Sequence, residues 1–372
     1  RSPQMLDIFL SNNPNLNSPF TEFGGVKGNT QNGFLPTKET ALFLIAGDDL
    51  QKRIEVIKIL QAHHPLYRRQ ILEVRAPEAG ASSLSSPLTI SKIALPKILW
   101  GGSYIPEFAA DFPAKKVVSP LDWEDLVLAP FVMEQILEIK AWLKHESLIQ
   151  EQWALKKILK PGFRSLFFGP PGTGKTLTAS LLGKTLAMDV YRIDLAMVVS
   201  KYIGDTEKNL ARVFDLAENN QWILFFDEAD ALFGKRSLTK SSNDRYANQE
   251  VSYLLQRIED FPGLVILASN FKGNLDDAFI RRFQSIIHFP LPGPEQRLAL
   301  WQKAFSQGLQ LGVEVNLEEI AREHEVSGGE IINVLRYVAI KTAEQGAPFV
   351  DRETIIQGLN REFQKNGRAL GL

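Results

Sequence analysis

The chain has 372 residues, 44% of them hydrophobic and 23% charged, a balance typical of a soluble globular protein with two or three domains. The formal net charge of -1 gives no overall basic footprint for nucleic acid, and the absence of cysteine excludes a disulfide framework and a thiolate zinc site. No apolar run is long enough to cross a bilayer and no signal pattern opens the sequence, so we expect a cytoplasmic protein without a membrane span.

The first third of the chain predicts an arm followed by a small domain. Residues 1–36 are rich in Asn, Ser, Gly and Pro and predict a poorly structured arm. Residues 37–118 predict a small α+β domain, in which apolar residues around Ile54 recur at helical spacing. The segments of this domain with a strand-like or extended pattern are residues 42–45, 88–90 and 98–100. Several prolines within residues 106–120 predict a linker.

From residue 119 onward, apolar strands alternate with helix-length segments. A helix is predicted at 131–145, and the strand candidates are residues 166–168, 190–193, 223–226, 264–268 and 286–289. This alternation is the pattern of a parallel sheet covered by helices on both faces. Three prolines end it, and residues 292–372 predict a lid of four helices without a strand. The predicted fold class is therefore α/β, with a nucleotide-binding domain at 119–291 and a helical lid.

A glycine-rich loop is set between the strand at 166–168 and a predicted helix at 177–187. Such a loop is typical of a phosphate cradle, because its N–H groups can point at an anion and the helix dipole adds positive charge. Lys175 would reach the β- and γ-phosphates, and the Thr176 hydroxyl would hold Mg²⁺. The predicted phosphate-binding residues are Gly169, Pro170, Pro171, Gly172, Thr173, Gly174, Lys175, Thr176 and Leu177.

Two adjacent carboxylates, Asp227 and Glu228, follow the apolar strand at 223–226. Because successive side chains of a strand point to opposite faces, the two carboxylates can serve different roles. Asp227 is predicted to join the Mg²⁺ shell, and Glu228 to act as the base on a water in line with the γ-phosphate. An Asp-Glu pair in a plain turn is the alternative, and the glycine loop about fifty residues earlier favours the catalytic interpretation.

Polar residues after the next strand complete the candidate site. Asn270 can hydrogen-bond the attacking water or the γ-phosphate without adding charge, or it can cap the next turn. Arg281 and Arg282 can form a solvated helix end, or they can reach a neighbouring subunit's γ-phosphate. In that second role, an arginine raises the rate of phosphoryl transfer by roughly 10³ to 10⁵.

These motifs, in this order, resemble those of the AAA ATPase family from about residue 123 to the end of the chain, which leaves the first third outside the resemblance. The loop at 169–176 resembles the family's phosphate loop letter for letter, and Asn270 falls at its sensor position. Arg281 and Arg282 match its arginine-finger positions in the shorter form of katanin-like and spastin-like members. The overall layout is also similar to bacterial AAA ATPases encoded with contractile injection particles.

The resemblance adds base-binding and lid residues to the predicted site. Leu126 and Val127 lie in a segment that resembles the family's adenine-contacting Asp-Ile-Gly, although valine replaces the glycine. Gly328 and Gly329 lie in a segment that resembles the lid's Ser-Gly-Ala-Asp, and no arginine stands there as a second sensor. The resemblance implies ATP and Mg²⁺ as the cofactors.

A segment between the glycine loop and the acidic pair resembles the family's first pore loop, which grips an extended polypeptide in the channel of a ring. The residues of this predicted loop are Lys201, Tyr202, Ile203 and Gly204. An aromatic and an aliphatic side chain offer apolar contact that is indifferent to sequence, and glycine lets the loop move. The alternative is that Tyr202 packs in the core. A second, polar and basic loop at 234–245 can face the channel or be solvated.

The resemblance implies a homo-oligomeric ring, a hexamer, that hydrolyses ATP between subunits and remodels, unfolds or disassembles a protein partner. The partner would be engaged by the pore loop and by the domain at 37–118. The alternative is a structural role, in which the nucleotide state docks the ring on a larger machine such as a contractile injection particle. Nucleic-acid remodelling is disfavoured by the neutral net charge and by the aromatic pore loop.

Overall fold

The computed structural model divides the chain into two compact units, Arg1–Pro106 and Glu107–Leu372. It describes residues 6–13, 18–27, 33–61, 63–68, 71–73, 82–91, 94–101, 108, 112–195, 205–229, 242–270, 280–306, 308–346, 348–365 and 367. None of the helices in these ranges combines the length and the apolar character that crossing a bilayer requires.

The first unit consists of short elements around a pair of helices. Its helices are α1 (Lys38–Ala46), α2 (Leu50–Ile59), α3 (Pro65–Arg68) and α4 (Ala94–Trp100), with 3-10 turns at Asp7–Leu10, Thr21–Phe23 and Ser83–Ser85. Its strands are β1 (Asn12–Asn13), β2 (Ser18–Pro19), β3 (Val26–Lys27), β4 (Phe34–Leu35), β5 (Leu72–Glu73) and β6 (Thr89–Ile90), which form three antiparallel pairs. Helices α1 and α2 bury Leu42, Ala46, Val56 and Leu60 in a small core.

The described residues before α1 are more ordered than the predicted arm. The ring of Phe23 lies 4.9 Å from that of Phe9 and 4.9 Å from that of Phe43 in α1. Phe34 is buried and lies 5.5 Å from Phe9. Aromatic pairs of this kind contribute roughly 0.5–1.5 kcal/mol each beyond the area that they bury. The prediction of a poorly structured arm is therefore wrong for these residues, because aromatic side chains far apart in sequence pack together.

Two of the three strand predictions in this unit are wrong, since residues 42–45 lie in α1 and residues 98–100 in α4. The start of α1 is fixed by a reciprocal cap, in which Thr37 Oγ1 accepts from the Thr40 N–H and Thr40 Oγ1 accepts from the Thr37 N–H. A short apolar run cannot distinguish a strand from a buried helix, and here the cap selects the helix. The third prediction holds at β6.

The second unit carries a six-stranded sheet and a group of helices at its C-terminal end. Its helices are α5 (Pro130–Ser147), α6 (Lys175–Leu186), α7 (Asp205–Asn220), α8 (Ser242–Asp260), α9 (Pro294–Ala304), α10 (Leu317–Glu323), α11 (Gly328–Gln345) and α12 (Arg352–Lys365). Its strands are β7 (Ala114–Val117), β8 (Phe163–Phe168), β9 (Val190–Ile193), β10 (Ile223–Phe226), β11 (Leu264–Ser269), β12 (Ser285–His288), β13 (Gln310–Leu311) and β14 (Phe349–Val350). A π-helical turn at Leu148–Gln152 and a 3-10 turn at Leu155–Lys157 follow α5.

The sheet has the order β12-β8-β11-β10-β9-β7, and β8 to β12 are all parallel. Helices cover both faces, as the apolar strands require. Phe225 joins a core with residues of α5 and α6, and the next residue, Phe226, stacks on Phe214 of α7 at 6.3 Å. The predicted α/β fold class is confirmed.

The predicted linker at 106–120 is wrong for its later half. Residues 114–117 form β7, which pairs antiparallel with β9 at the edge of the sheet, and Lys116 Nζ lies 2.8 Å from Asp189 Oδ1. Phe112 is buried against Tyr191 and Trp222. The boundary of the second unit therefore lies near residue 106 and not at the predicted 118. Lys115 and Lys116 belong to this edge strand, where charged residues limit unwanted pairing, and Pro113 directly precedes it.

The lid contains the four predicted helices, α9 to α12, around the fully buried Trp301. The Trp301 ring stacks on Phe305 at 5.9 Å and packs in one core with residues of α10, α11 and α12. The prediction that the lid has no strand is wrong in one detail, because β13 and β14 form a short parallel pair.

Gly162 and Gly346 form a matched pair for testing how closely the chain packs before β8. Both have positive φ, 78° and 74°, but a Cβ on Gly162 would lie 2.4 Å from the Phe261 carbonyl oxygen, whereas one on Gly346 would meet nothing within 4 Å. Gly346→Ala therefore adds only backbone strain of about 1 kcal/mol, which lowers the midpoint of thermal unfolding by roughly 2–4 °C. Gly162→Ala adds a clash, and we expect at least twice that shift in differential scanning fluorimetry. Equal shifts would contradict the close approach.

Candidate functional site

A cavity of about 500 Å³ opens at the carboxyl ends of the parallel strands in the second unit. The loop after β8, the pair after β10 and Asn270 after β11 all line it, together with the segment before α5 and the start of α11. Parallel strands present their carboxyl ends at one edge of a sheet, which is where ligands bind in open α/β folds. Residues that are distant in sequence are thereby brought to one site.

The glycine loop requires glycine at two points of close backbone approach. A Cβ on Gly169 would lie 2.0 Å from the carbonyl oxygen of Phe289, and its φ is 147°. A Cβ on Gly172 would lie 2.7 Å from Ser327 Oγ, and its φ is 76°. Any larger residue would therefore displace the loop from β12 or from the lid.

The ammonium group of Lys175 is held beneath the loop. Lys175 is 7% exposed, and its Nζ donates to the carbonyl oxygens of Gly169 at 2.6 Å and of Pro170 at 2.8 Å. It also donates to Asn270 Oδ1 at 3.4 Å. The structure thus brings together the lysine of the loop and the predicted sensor asparagine, and sets a positive charge at the floor of the cavity.

The two adjacent carboxylates differ in their surroundings. Asp227 is half-buried, and its Oδ2 lies 3.8 Å from Arg192 Nη1 on β9. Glu228 is exposed and has φ of 52°, a left-handed conformation that costs a non-glycine residue about 1–2 kcal/mol. Two hydrogen bonds hold this strained conformation: the Glu228 N–H donates to Asp227 Oδ1 at 3.1 Å, and the Ala229 N–H donates to the Ala268 carbonyl at 2.8 Å.

The donors at the cavity suit a hard divalent cation. Thr176 offers a hydroxyl and Asp227 a carboxylate, and both line the cavity. The described residues contain no group of three or more His, Cys, Asp or Glu arranged to hold a metal ion. Mg²⁺ usually takes only one or two protein carboxylates and completes its shell with water and substrate phosphates. The donor set therefore fits magnesium bound together with a phosphate ligand.

One end of the cavity is apolar. Leu126 and Val127 line it as predicted, next to Leu128 and Val132. The cavity is also lined by residues that the sequence motifs do not predict, which are Leu121, Ala129, Phe289, Pro290, Pro292, Gln296, Leu300, Ile331 and Ile332. For Pro290 and Pro292, the proline-rich turn after β12 is the feature of the sequence that could have pointed to the cavity. Apolar side chains that line a cavity are suited to hold a planar base.

The lid touches the phosphate loop directly. The Gly329 N–H donates to the Gly172 carbonyl at 3.1 Å, and Gly328 and Gly329 both line the cavity. Ser327 caps α11 by accepting from the Glu330 N–H at 3.3 Å, and Glu330 Oε2 accepts from the Ser327 N–H at 2.6 Å. The start of the lid helix is therefore anchored where the loop turns.

Arg281 and Arg282 lie apart from the cavity of their own chain. Both are exposed, and Arg282 Nη1 pairs with Glu259 Oε1 at the end of α8. Gly169 and Pro170 do not line the cavity either, although their carbonyls hold Lys175. The predicted pore-loop residues, Lys201, Tyr202, Ile203 and Gly204, lie outside the described residues. So do residues 234–241 of the predicted loop at 234–245, whereas residues 242–245 belong to α8, so the loop prediction is wrong for them.

Comparison with known proteins gives matches that centre on this site. Residues 165–291 match the sequence profile of the "ATPase family associated with various cellular activities (AAA)". The chain is 32% identical to Cell division protein C of Sulfolobus acidocaldarius over 48% of its own length and 50% of the relative's. It is 30% identical to the Proteasome-activating nucleotidase of Methanopyrus kandleri over 64% and 56%, respectively. It is 31% identical to the 26S proteasome regulatory subunit 6B homolog of Dictyostelium discoideum over 54% and 52%.

The chain thus spans only about half the length of the curated relatives that it matches. The matched residues contain β8 with its glycine loop, the acidic pair after β10, Asn270 and both arginines. The profile and the relatives lead to one assignment: residues 165–291 form a domain of the AAA family.

Proposed function

We propose that this protein is an Mg²⁺-dependent ATPase that works as a homo-oligomeric ring and remodels a protein partner. The observation that carries the proposal is the single cavity lined by the glycine loop, Lys175, Thr176, Asp227, Glu228 and Asn270. These are the groups that binding a triphosphate and activating a water require. The apolar end of the cavity has the chemistry to hold the base.

Lys175 and the loop would bind the phosphates. The ammonium group is already desolvated among carbonyls, and phosphate oxygens are charged acceptors that form stronger hydrogen bonds than neutral carbonyls. Thr176 and Asp227 would hold Mg²⁺, which when bound neutralises charge on the β- and γ-phosphates. Arg192 would orient the Asp227 carboxylate through its ion pair.

Glu228 would act as the general base. In hydrolysis a water oxygen forms a bond to the γ-phosphorus, the bond from that phosphorus to the bridging oxygen breaks, and the proton of the water passes to the carboxylate. The exposed, left-handed position of Glu228 leaves its carboxylate free of the core. Asn270, held by Lys175, would orient the water or the γ-phosphate without adding repulsion.

The arginines would complete the site of a neighbouring subunit. Both side chains are exposed and neither lines the cavity of its own chain, which suits a donation across an interface. A hexamer is the ring size that the family resemblance implies. The relatives named as a proteasome-activating nucleotidase and as a proteasome regulatory subunit support a protein as the substrate that is remodelled.

Substitution of Lys175 and Glu228 separates nucleotide binding from chemistry. We expect Lys175→Ala to abolish binding of a fluorescent ATP analogue, because the phosphates lose their buried counter-charge. Glu228→Gln should retain binding and lose turnover by about 10²- to 10⁴-fold, the usual contribution of a general base. Glu218→Gln, an exposed change on α7, is the matched control and should leave both unchanged. Turnover of Glu228→Gln at the parent rate would exclude the base assignment.

Ring formation should depend on nucleotide and supply the arginines in trans. We expect light scattering to show that Glu228→Gln assembles when ATP is added. Arg281→Ala should lower kcat by roughly 10³-fold with the ATP dissociation constant unchanged, because the arginine acts on the transition state. Arg322→Ala removes an exposed arginine that is paired with Glu318, and serves as the control. A persistent monomer with full activity would contradict the shared site.

Tyr202 distinguishes a threading motor from a docking ring. For a motor, we expect a permanently unfolded polypeptide, reduced and carboxymethylated α-lactalbumin, to stimulate the ATPase. Tyr202→Ala should abolish that stimulation and keep the basal rate, whereas Tyr202→Phe should retain both, because the contact is apolar. Absence of stimulation in the parent protein would favour the docking role.

A further inference from the structure

Arg164 is a buried charge in a strand that is otherwise apolar at its centre. It is 3% exposed and lies in β8, the strand that leads into the glycine loop. Burial lowers the pKa of its guanidinium from the ordinary value, and the carboxylates of Glu259, Asp260 and Glu146 act in the opposite direction. An arginine remains protonated under such conditions, so a full positive charge is held inside the second unit. Such a charge is retained only where many acceptors surround it.

The acceptors are five backbone carbonyls, of which two belong to the end of α8 and a third, Phe261, follows it directly. Arg164 Nε donates to Ile258 O at 3.1 Å, and Nη2 donates to Phe261 O at 3.2 Å and to Glu259 O. The last carbonyls of a helix have no partner within the helix, and its C-terminus carries partial negative charge. Arg164 therefore caps α8 from inside the sheet. Nη2 also donates to Pro161 O at 3.0 Å, and Nη1 donates to Gly162 O at 3.4 Å.

The backbone of Arg164 fixes the segment with the two arginines. The Arg164 N–H donates to Gln284 Oε1 at 2.8 Å, and the Gln284 N–H donates to the Arg164 carbonyl at 3.0 Å. We call residues 280–284 the arginine turn. Its Phe283 N–H donates to the Ile280 carbonyl at 3.2 Å, which closes the turn around Arg281 and Arg282. Arg164 thus anchors the end of the turn.

The guanidinium of Arg164 is connected to the same turn through Glu259. Arg164 holds the backbone of Glu259, and the Glu259 side chain pairs with Arg282. Arg281, next to it, makes no hydrogen bond or ion pair with any described residue. We propose that Arg164 is a positioning residue for the arginine turn, and that it sets the direction in which Arg281 leaves the subunit. The inference rests on the proposed shared site, in which Arg281 reaches a neighbour's γ-phosphate.

A positioning role and a purely structural role of Arg164 predict different defects. A change at Arg164 would impair the arginine face that the subunit presents to its neighbour, and would leave the subunit's own cavity able to bind ATP. Because a displacement of about 1 Å can cost a reaction 10²-fold, we expect Arg164→Met to lower kcat by about 10- to 100-fold with the ATP dissociation constant unchanged.

Mixing of subunits tests the proposal. Arg164→Met subunits keep Glu228 and lose the positioned arginine, whereas Glu228→Gln subunits keep the arginine and lose the base. An interface at which an Arg164→Met subunit supplies the base and a Glu228→Gln subunit supplies the arginine is intact. The mixture should therefore exceed the summed rates of the separate variants by about 10-fold, as restored positioning requires. A mixture of Arg164→Met with Arg281→Ala should gain nothing, because both are defective on the same face.

The mixture of Arg281→Ala with Glu228→Gln is the reference. If the reference gains activity and Arg164→Met with Glu228→Gln does not, the positioning role is overturned while the shared site stands. If the reference fails as well, the shared site is overturned and the inference with it. Should Arg164→Met fail to fold in thermal unfolding, Glu259→Ala releases Arg282 at a half-exposed position. Its defect and its gain in the mixture with Glu228→Gln should both be smaller than those of Arg164→Met, and no gain would overturn the proposal.

Discussion

The nucleotide site depends on the close approach of two backbones, where the α-carbon of Gly169 lies against the carbonyl of Phe289. The Phe289 N–H donates to the Phe168 carbonyl at 2.8 Å, so the ladder between β8 and β12 continues to the point where the loop begins. This fixes the start of the loop, and the loop in turn holds Lys175 beneath it. A side chain at residue 169 would separate the two strands at the edge where every functional group of the cavity is gathered.

The lid is joined to the same loop by backbone rather than by a charged side chain. Gly329 donates to Gly172, and a Cβ on Gly329 would lie 3.0 Å from the Gly172 α-carbon. The position of α11 is set by this small contact and by its capping box at Ser327. Because the contact joins backbone groups of Gly172 and Gly329, screening by salt should weaken it little.

Much of the second unit could be predicted from sequence, because continuous apolar runs bounded by motif residues define buried parallel strands. Residues 190–193 and 223–226 form strands with the predicted bounds. The predictions that were wrong concern segments whose structure depends on other parts of the chain. Residues 114–117 form the strand β7 because β9 lies beside them. Residues 42–45 are helical because Thr37 caps α1. The spacing of the motifs predicted the glycines of the loop, Lys175 and the two carboxylates that line the cavity. Ile331 and Ile332 were not, since only the packing of the lid brings them to the cavity.

The two arginines of the turn are held by interactions of unequal strength. The Arg282–Glu259 pair is about one-third to two-fifths exposed, and such pairs contribute roughly 0–1 kcal/mol. The Arg164 guanidinium, in contrast, is buried and donates to backbone carbonyls, among them those of Ile258 and Phe261. Removing one partner of a buried charged group costs several kcal/mol, because the remaining polar groups are left unsatisfied. The geometry of the turn therefore follows from the buried cation in the strand that also carries the glycine loop. In this way, the cavity and the arginine turn are both connected to a single strand, β8.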